Sequence, residues 1–545
     1  MISNSKKVQS VFFLCIFAVS LFYRFYDLDK RGYFPPNDTA AYANVVKSYK
    51  AAVDYIIKSK ILRQDIGSMN DYLYKNGGHF YNPSAKFALI PIGLMGSLIF
   101  GSNTNTILYS YATFGVLTVI LLFFILLRSK NLFYSFFLSL LFAVSPYHIG
   151  FSREGNPVIF ASFFLLLSVY LYTRFLESNN FRYLYFCGLS LGFGFLCHYN
   201  IGPFILVFFI YEIYYFLLKQ SNVKRILAIS VFAFLPLLLM DIFTRAIKFY
   251  GTMKDIKNIG LYQTYFNGIF QQLSDMTISS IDIHAGPFYY FSNFLYHEGI
   301  IPSILVIIAV LLISWRGMKV DYGIGYFLVL IFLVPFFYYL WLQHVVADRT
   351  MLSFIPLWYL IIGYGLNNFA KSKYGKIVIF IIMIAIVSNA IKSMDYFNYR
   401  SNFEQAVNYM ERNKGVKHIS SVLSLSRLYV GRENAIHHAE SPYSEYLTEL
   451  RKVIYQINPI SVDNIKSLYN DGYHYLVLNI PPSVSNELTE AAMNIQPEYS
   501  TDIMICNDRG DGYDPALLRD KKGKYLYYFN VYDLGKVLNK MGQNK

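Results

Sequence analysis

Long apolar runs separated by short polar turns fill the first 395 residues of the chain. Eleven runs have roughly 17 to 22 residues, close to the ~20 that an α-helix needs to cross the hydrocarbon core of a membrane. The pattern predicts a polytopic α-helical membrane protein with about 11 transmembrane helices. The predicted spans are residues 8–26, 106–127, 132–149, 157–175, 183–199, 202–218, 226–246, 299–315, 322–342, 351–369 and 377–393.

The first apolar run resembles a signal peptide in one respect, because Lys6 and Lys7 precede it. A small-residue cleavage site does not follow, since Arg24, Phe25 and Tyr26 occupy its place. We expect an uncleaved first span with its N-terminus on the inner side.

A twelfth apolar segment, residues 85–101, contains Pro91 and is about 17 residues long, the lower limit for a span. If it does not cross the membrane, the basic turns between the spans fall on the same side as Lys6 and Lys7, as the positive-inside rule requires. If it does cross, those turns all face outward. We therefore expect an interfacial or re-entrant helix here, and an extracytoplasmic loop over residues 27–105.

From residue 396 the pattern changes to a mixture of helical and strand spacing. Residues 403–413 and 462–470 have helical periodicity, whereas residues 418–425 and 473–480 are typical of strands. The predicted domains are a transmembrane domain, residues 1–395, and an extracytoplasmic α/β domain, residues 396–545. The second has roughly 150 residues, enough for a core of its own.

Composition supports the membrane class and excludes several others. Of 545 residues, 55% are hydrophobic and 15% charged, and the mean hydropathy is +0.34, which leaves too few charges to cover a soluble protein of this size. The net charge of +14 lies in the membrane half and reflects topology rather than nucleic acid binding. The four cysteines indicate neither a disulfide framework nor a thiolate metal site. Without a P-loop or a dinucleotide motif, no nucleotide cofactor is expected.

The loop over residues 27–105 carries a carboxylate at a helix start. Pro35 and Pro36 cannot lie inside a regular helix, and Asp38 with Thr39 can cap the helical run that follows. Asp38 is therefore held just beyond the first span and is the candidate catalytic residue. The alternative is that Asp38 only caps an interfacial helix.

Other turns on the predicted outer side carry ionisable side chains, whereas the inner turns are short and basic. The outer turns supply Arg153 and Glu154 (residues 145–157, at the water boundary), His297 and Glu298 (residues 247–298) and Arg349 (residues 343–349). The asymmetry predicts that the chemistry takes place on the outer side.

A series of motifs in a fixed order resembles a known family. The series comprises an uncleaved first span, an acidic motif early in the first outer loop, a proline-containing apolar segment ending in Phe100-Gly101, a Ser-Pro-x4-Phe-Ser-Arg-Glu turn, an Asp-Arg-x6-Pro start to a late span, and an outer α/β tail. Together they resemble the GT-C glycosyltransferases, in particular family 39, which includes protein O-mannosyltransferases and lipid A aminoarabinose transferases. The chain departs from the family where an adjacent Asp-Glu pair is usual, since Asn37-Asp38 leaves one acid there.

The resemblance implies a multi-pass enzyme of the inner or plasma membrane that moves a sugar from a polyprenyl-phosphate donor to a lipid, glycan or protein acceptor. An acceptor hydroxyl must lose a proton as it attacks, and Asp38 would be the base. Glu154 matches the family's second acidic position. It could hold a metal, orient the acceptor or pair with Arg153.

The departing phosphate requires cations at the membrane boundary. The resemblance and the predicted sidedness give Lys86, Arg153, Arg349, His79 and Tyr42 as the substrate-binding set. For Lys86, Arg153 and Arg349 the alternative is an ordinary interfacial cation that extends along a helix end towards water.

His297 next to Glu298 is the candidate pair for a divalent cation. Ligand spacing such as His-x3-His does not accompany it, so the alternative for each histidine is ordinary hydrogen bonding at the interface.

Two functions from other classes remain open at this point. A transporter or lipid flippase usually places charges in the middle of its spans, and Glu212 and Asp241 are the charges that meet this condition here. A receptor or assembly protein would bind its ligand through residues 396–545 alone.

Overall fold

The computed structural model describes residues 2–30, 32, 39–76, 88–101, 104–128, 131–219, 221–250, 289–317, 324–341, 352–398, 400–421, 423–430, 434–437, 462–480, 487–506 and 525–543. The helices within residues 1–395 are α1 Ile2–Phe25, α2 Thr39–Ile56, α3 Met69–Asn76, α4 Leu89–Phe100, α5 Thr106–Leu127, α6 Leu132–Ala143, α7 Pro146–Glu154, α8 Val158–Ser178, α9 Phe181–Cys197, α10 Gly202–Leu217, α11 Val223–Tyr250, α12 Tyr289–Glu298, α13 Ile300–Gly317, α14 Ile324–Trp341, α15 Ile355–Lys371 and α16 Gly375–Met394.

A helix lies at each of the eleven predicted spans. Within the described residues, six helical segments are long and apolar enough to cross a membrane, and the bent pair α6–α7 makes a seventh if it counts as one span. The six are Lys6–Lys30, Thr106–Leu127, Val158–Ser178, Tyr199–Leu217, Val223–Met240 and Gly375–Asn413. The number is lower than eleven partly because Phe181–Cys197 and Ile300–Trp315 are apolar but shorter.

Helix α4 has 12 residues, a length of about 18 Å, which is too short to cross a ~30 Å hydrocarbon core. Two of its glycines permit close packing on both sides. A Cβ at Gly93 would clash with Val46 of α2, and a Cβ at Gly96 would clash with Ser110 of α5. Helix α4 therefore packs between α2 and α5, a geometry that fits the interfacial helix predicted for this segment.

Residues 145–157 contain a helix, where the sequence analysis expected a turn. Ser145 caps α7 by accepting a hydrogen bond from the His148 N–H at 3.2 Å, and Pro146 occupies the first turn. Gly155 ends the helix in the left-handed conformation at φ 81°. A capping serine, an N-terminal proline and a C-terminal glycine are common helix boundaries, so the signals were present but the prediction of a turn was wrong.

The C-terminal domain is a mixed sheet flanked by helices. Its strands are β1 His418–Ser420, β2 Ala435–His437, β3 Tyr475–Ile480, β4 Tyr499–Ser500, β5 Met504–Cys506 and β6 Tyr525–Asp533, and its helices are α17 Phe403–Asn413, α18 Leu423–Val430, α19 Val462–Asn470, α20 Glu487–Met493 and α21 Leu534–Gln543. The strand order is β2-β1-β3-β6-β4, with β5 also paired to β6. Strand β1 is parallel to β2 and β3, and β3 is antiparallel to β6.

The predicted helices over residues 403–413 and 462–470 are confirmed at both ends. The strand predicted over residues 418–425 is too long, because it ends at Ser420 and α18 begins at Leu423. The Ser426 hydroxyl of α18 donates to the Ser420 hydroxyl at 2.7 Å. This contact joins the first turn of α18 to the end of β1.

Helix α2 packs against both the membrane helices and the C-terminal domain. One continuous apolar cluster contains Val45 and Ala52 of α2, Leu425 and Leu428 of α18, and the inward residues of the membrane helices. Arg400 pairs with Asp27 beyond the end of α1. The described part of the segment between α1 and α4 therefore packs against both parts of the protein.

His418 gives the C-terminal domain a predicted pH dependence. Burial lowers the pKa of His418 to about 4, whereas an unfolded histidine titrates near 6.5. Because the folded value is the lower one, the stability is fully present above pH 6.5 and is lost as the pH falls towards 4. Between pH 7 and pH 5 the loss amounts to about 2 kcal/mol.

Urea unfolding of the full chain, followed by proteolysis within residues 400–543, measures this effect. The urea midpoint is expected to fall by about 1 M between pH 7 and pH 5. An equal fall of the urea midpoint in the His418→Gln variant would show that His418 does not cause the pH dependence.

Candidate functional site

Helix α7 lies at the centre of the site, and all nine of its residues are buried. Arg153 is 1% exposed and Glu154 is 3% exposed. The sequence predicts both side chains at the water boundary, and this prediction is wrong because both are buried within the protein. The physical reason is that α7 is enclosed by α1, α5, α8, α12 and α16.

Helix α2 begins against the end of α7. The Thr39 hydroxyl donates to the Glu154 carbonyl at 3.2 Å and to the Gly155 carbonyl at 2.7 Å. Gly155 permits this approach, because a Cβ there would lie 2.5 Å from Thr39 Cγ2. Asp38 lies outside the described residues but directly precedes Thr39 in the sequence. The junction therefore joins the two segments in which the sequence predicts catalytic acids.

The Arg153 guanidinium is directed at the end of α1. Its Nη1 donates to the Tyr26 carbonyl at 2.8 Å and to the Tyr23 and Arg24 carbonyls at 3.4 Å. The guanidinium also lies 5.2 Å from the centre of the Phe397 ring. Carbonyls at the end of a helix lack intrahelical partners, and a cation there suits the helix dipole. Arg153 thus caps α1, and its phosphate-binding role stays a prediction.

Replacing Arg153 by Lys separates these two roles. If Arg153 also holds the carrier phosphate, Arg153→Lys is expected to raise the donor KM about tenfold, because the bidentate guanidinium geometry is lost. Arg349→Lys is expected to act in the same direction. Steady-state kinetics with varied donor measures both, and exposed Arg182→Lys serves as the control. An unchanged donor KM in both variants would leave only the helix-capping role.

A second buried arginine connects α1 to the bent pair of helices. Arg24 is fully buried, and its Nη2 lies 2.8 Å from His148 Nδ1. Its Nη1 donates to the Ala143 carbonyl at 3.0 Å and to the Ser20 hydroxyl at 3.1 Å. A guanidinium has only donors, so His148 Nδ1 accepts and the imidazole is neutral. Arg24 thereby joins α1 to both α6 and α7.

Glu298 lies at the opposite end of α7 from Glu154. One of its carboxylate oxygens, Oε1, accepts from the Ser145 hydroxyl at 2.5 Å and from the Tyr147 N–H at 3.1 Å. The other, Oε2, accepts from the Tyr359 hydroxyl at 2.6 Å and from Asn389 Nδ2 at 3.3 Å. The side chain is 1% exposed, so this buried carboxylate is surrounded by protein donors.

The arrangement around Glu298 does not fit the predicted metal pair. A cation on Glu298 would have to displace donors that already fill both oxygens. The neighbouring His297 packs edge-on against Tyr147, with 4.8 Å between the ring centres. Groups of three or more His, Cys, Asp or Glu residues able to hold a metal do not occur in the part of the chain that the structure describes. A divalent cation therefore stays a prediction of the sequence alone.

The other predicted substrate-binding residues divide into two groups. Tyr42 lies in the first turn of α2 and is 3% exposed, and its substrate-binding role stays a prediction. His79, Lys86 and Arg349 lie outside the described residues, as does Asp38.

Sequence reasoning missed Arg24, Tyr359 and Asn389 as parts of this region. Arg24 had a usable signal, because a charged residue inside an apolar span marks a constrained position. Tyr359 and Asn389 carry no comparable signal, since hydroxyl and amide side chains are tolerated in many spans.

Glu212, one of the two acids that favoured a transporter, is paired at the other end of the bundle. It accepts from the Tyr172 hydroxyl at 2.6 Å and the Ser221 hydroxyl at 2.8 Å, and Arg225 Nε lies 3.4 Å away. Ser221 and Arg225 stand at the start of α11. Glu212 thus joins helix ends and does not line a path through the bundle centre. The Asp241 side chain lies outside the described residues.

One family model and several solved structures are similar to this chain. The family model for dolichyl-phosphate-mannose-protein mannosyltransferase matches residues 92–241, a segment that includes α7. The structure of ArnT from Cupriavidus metallidurans bound to undecaprenyl phosphate is similar at a TM-score of 0.57 and 11% identity, over 96% of this chain and 98% of that one. The apo state of the same protein gives 0.56 and 11%, over 97% and 99%.

The Archaeoglobus fulgidus oligosaccharyltransferase tethered with an acceptor peptide is similar at a TM-score of 0.53 and 11% identity, over 89% of this chain and 71% of that one. No curated protein sequence matches the chain significantly. The resemblance seen in the sequence is confirmed at the level of fold. The chain has the GT-C membrane fold, and its C-terminal α/β domain follows the membrane helices.

Proposed function

We propose that this protein, which has the GT-C fold, is a membrane glycosyltransferase that moves a sugar from a polyprenyl-phosphate carrier to an acceptor hydroxyl at the extracytoplasmic face. The contact between α2 and α7 carries the proposal. Thr39, next to Asp38, binds the backbone at Glu154 and Gly155. The residue that follows Asp38 in the sequence thus contacts the segment of the second acidic position, in a fold shared with ArnT.

The donor class rests on the comparisons. The similar ArnT structure holds undecaprenyl phosphate, and the matching family model is described by a dolichyl-phosphate sugar. Both carriers are polyprenyl phosphates. The acceptor is defined less narrowly than the donor. The similar oligosaccharyltransferase carries an acceptor peptide, and we include lipid, glycan and protein hydroxyls as acceptors.

The reaction assigns a task to each group. The acceptor oxygen bonds to the anomeric carbon, the bond from that carbon to the phosphate oxygen breaks, and polyprenyl phosphate leaves. Asp38 takes the acceptor proton as general base. Glu154, at the end of α7, orients the acceptor, and Lys86 and Arg349 with Arg153 offset the charge on the departing phosphate.

Mass spectrometry of envelope glycolipids and glycoproteins from cells with and without the gene tests the proposal. Loss of one hexose, pentose or amino sugar from a defined acceptor is expected, with accumulation of the corresponding lipid-linked sugar. Identical glycans in both strains, together with a change in lipid distribution across the membrane, would favour a transporter instead.

The proposed orientation gives a separate prediction. Cysteines introduced at exposed Ser68 and Ser500 are expected to react with a membrane-impermeant thiol reagent in spheroplasts, because the basic turns place both outside. A cysteine at exposed Ser372, beyond the end of α15, is the matched control and is expected to be protected. Protection at position 68 or 500 would contradict the topology.

A further inference from the structure

Helix α7 is held at both of its ends by groups from distant parts of the chain. At its C-terminal end, Thr39 binds the carbonyls of Glu154 and Gly155. At its N-terminal end, Glu298 binds the Ser145 hydroxyl and the Tyr147 N–H. The helix has nine residues, so the two ends lie about 13 Å apart.

We propose that Glu298 is a positioning residue that fixes α7 so that Glu154 is presented to the reacting acceptor. The inference rests on the proposed glycosyltransferase function and deepens it. Glu298 is well suited to the task, because a carboxylate at a helix N-terminus is favoured by the free N–H groups and by the helix dipole.

The Glu298 carboxylate also connects α7 to the helices behind it. Tyr359 of α15 and Asn389 of α16 donate to Oε2 while Ser145 and Tyr147 bind Oε1. One side chain therefore sets the position of α7 relative to two membrane helices. Arg24 contacts the same N-terminal turn of α7 through His148, and Glu298 connects this turn to the helices behind it.

Small tilts of α7 have large consequences at Glu154. A tilt of about 5° at one end of a 13 Å helix moves the other end by about 1 Å. A displacement of that size at a reacting group costs about 100-fold in rate. Loss of Glu298 is therefore expected to lower kcat strongly and to raise the donor KM less, because Arg153 lies on α7 whereas the other proposed phosphate-binding residues, Lys86 and Arg349, belong to other segments.

A double-mutant cycle in the reconstituted full-length protein tests the proposal. Glu298→Ala is expected to lower kcat at least 30-fold in the wild-type background but less than threefold in a Glu154→Gln background, since misplacing Glu154 has no effect once its charge is gone. An equal fold decrease of kcat on Glu298→Ala in both backgrounds, or no decrease of kcat in either, would overturn the positioning role.

Glu212→Ala is the matched control. Glu212 is another carboxylate that is 1% exposed and bound by protein donors, but at the opposite end of the bundle. Its loss is expected to leave kcat within about threefold. If Glu298→Ala does not fold, Glu298→Gln and Tyr359→Phe are placed in the same cycle, because each removes part of the contact and leaves the helix capped by Ser145. A wild-type protein without transfer would refute the proposed function, whereas transfer with additive Glu298 effects would refute this inference alone.

Discussion

Asp38→Asn is expected to lower the rate of sugar transfer by about 100-fold to 10,000-fold while leaving the donor KM largely unchanged. The substitution keeps the shape of the side chain and removes the group that accepts the acceptor proton. The position directly precedes Thr39, which the structure binds to the end of α7. Asp38→Glu is also expected to retain little activity, because the added methylene moves the carboxylate away from a productive geometry.

Asp54→Asn is the control for this experiment. Asp54 lies in the same loop, on α2, and pairs with Lys50 at 3.6 Å on a partly exposed surface. Its loss is expected to change the rate by less than twofold. Transfer by Asp38→Asn at the wild-type rate would assign Asp38 a capping role only, and the base would then have to be sought elsewhere.

Glu154→Gln is expected to have the second-largest effect, a loss of about 100-fold in kcat. Glu154 is buried at the C-terminal end of α7, beside the start of α2, where a carboxylate would orient an acceptor hydroxyl. Glu154→Asp is expected to recover part of the rate, because it keeps the charge and shortens the side chain by one methylene.

Glu177→Gln serves as the matched control for Glu154→Gln, since Glu177 pairs with Arg128 and Arg174 at the far end of the bundle. Single-turnover kinetics with preformed donor complex separates the chemical step from binding. An unchanged chemical rate in Glu154→Gln would limit Glu154 to the packing of α7.

Local sequence signals predicted most of the elements. A helix lies at each span that the apolar runs predict. A helix that crosses lipid satisfies its backbone polar groups internally and carries apolar side chains, so its sequence is a continuous apolar segment. The helices over residues 403–413 and 462–470 were confirmed to the residue, since their apolar positions recur at helical spacing.

The contacts of the candidate site could not be predicted in the same way. Glu298 meets Ser145, Tyr359 and Asn389, which are 153, 61 and 91 residues away in the sequence, and tertiary packing alone brings them together. The same packing buries Arg153 and Glu154, which a local pattern places at the surface. Asp38 is predicted both by its position at a helix start beyond the first span and by the family resemblance, whereas the catalytic role of Glu154 is predicted by the resemblance.

Release of free polyprenyl phosphate is the measurement that tests the central claim most directly. Purified full-length protein in lipid vesicles is supplied with a polyprenyl-phosphate-linked sugar and an extract of envelope acceptors. Wild-type protein is expected to release one polyprenyl phosphate for each sugar transferred, and Asp38→Asn protein is expected to release almost none. Movement of the intact lipid-linked sugar across the bilayer without any release of polyprenyl phosphate would contradict a transferase and identify a transporter.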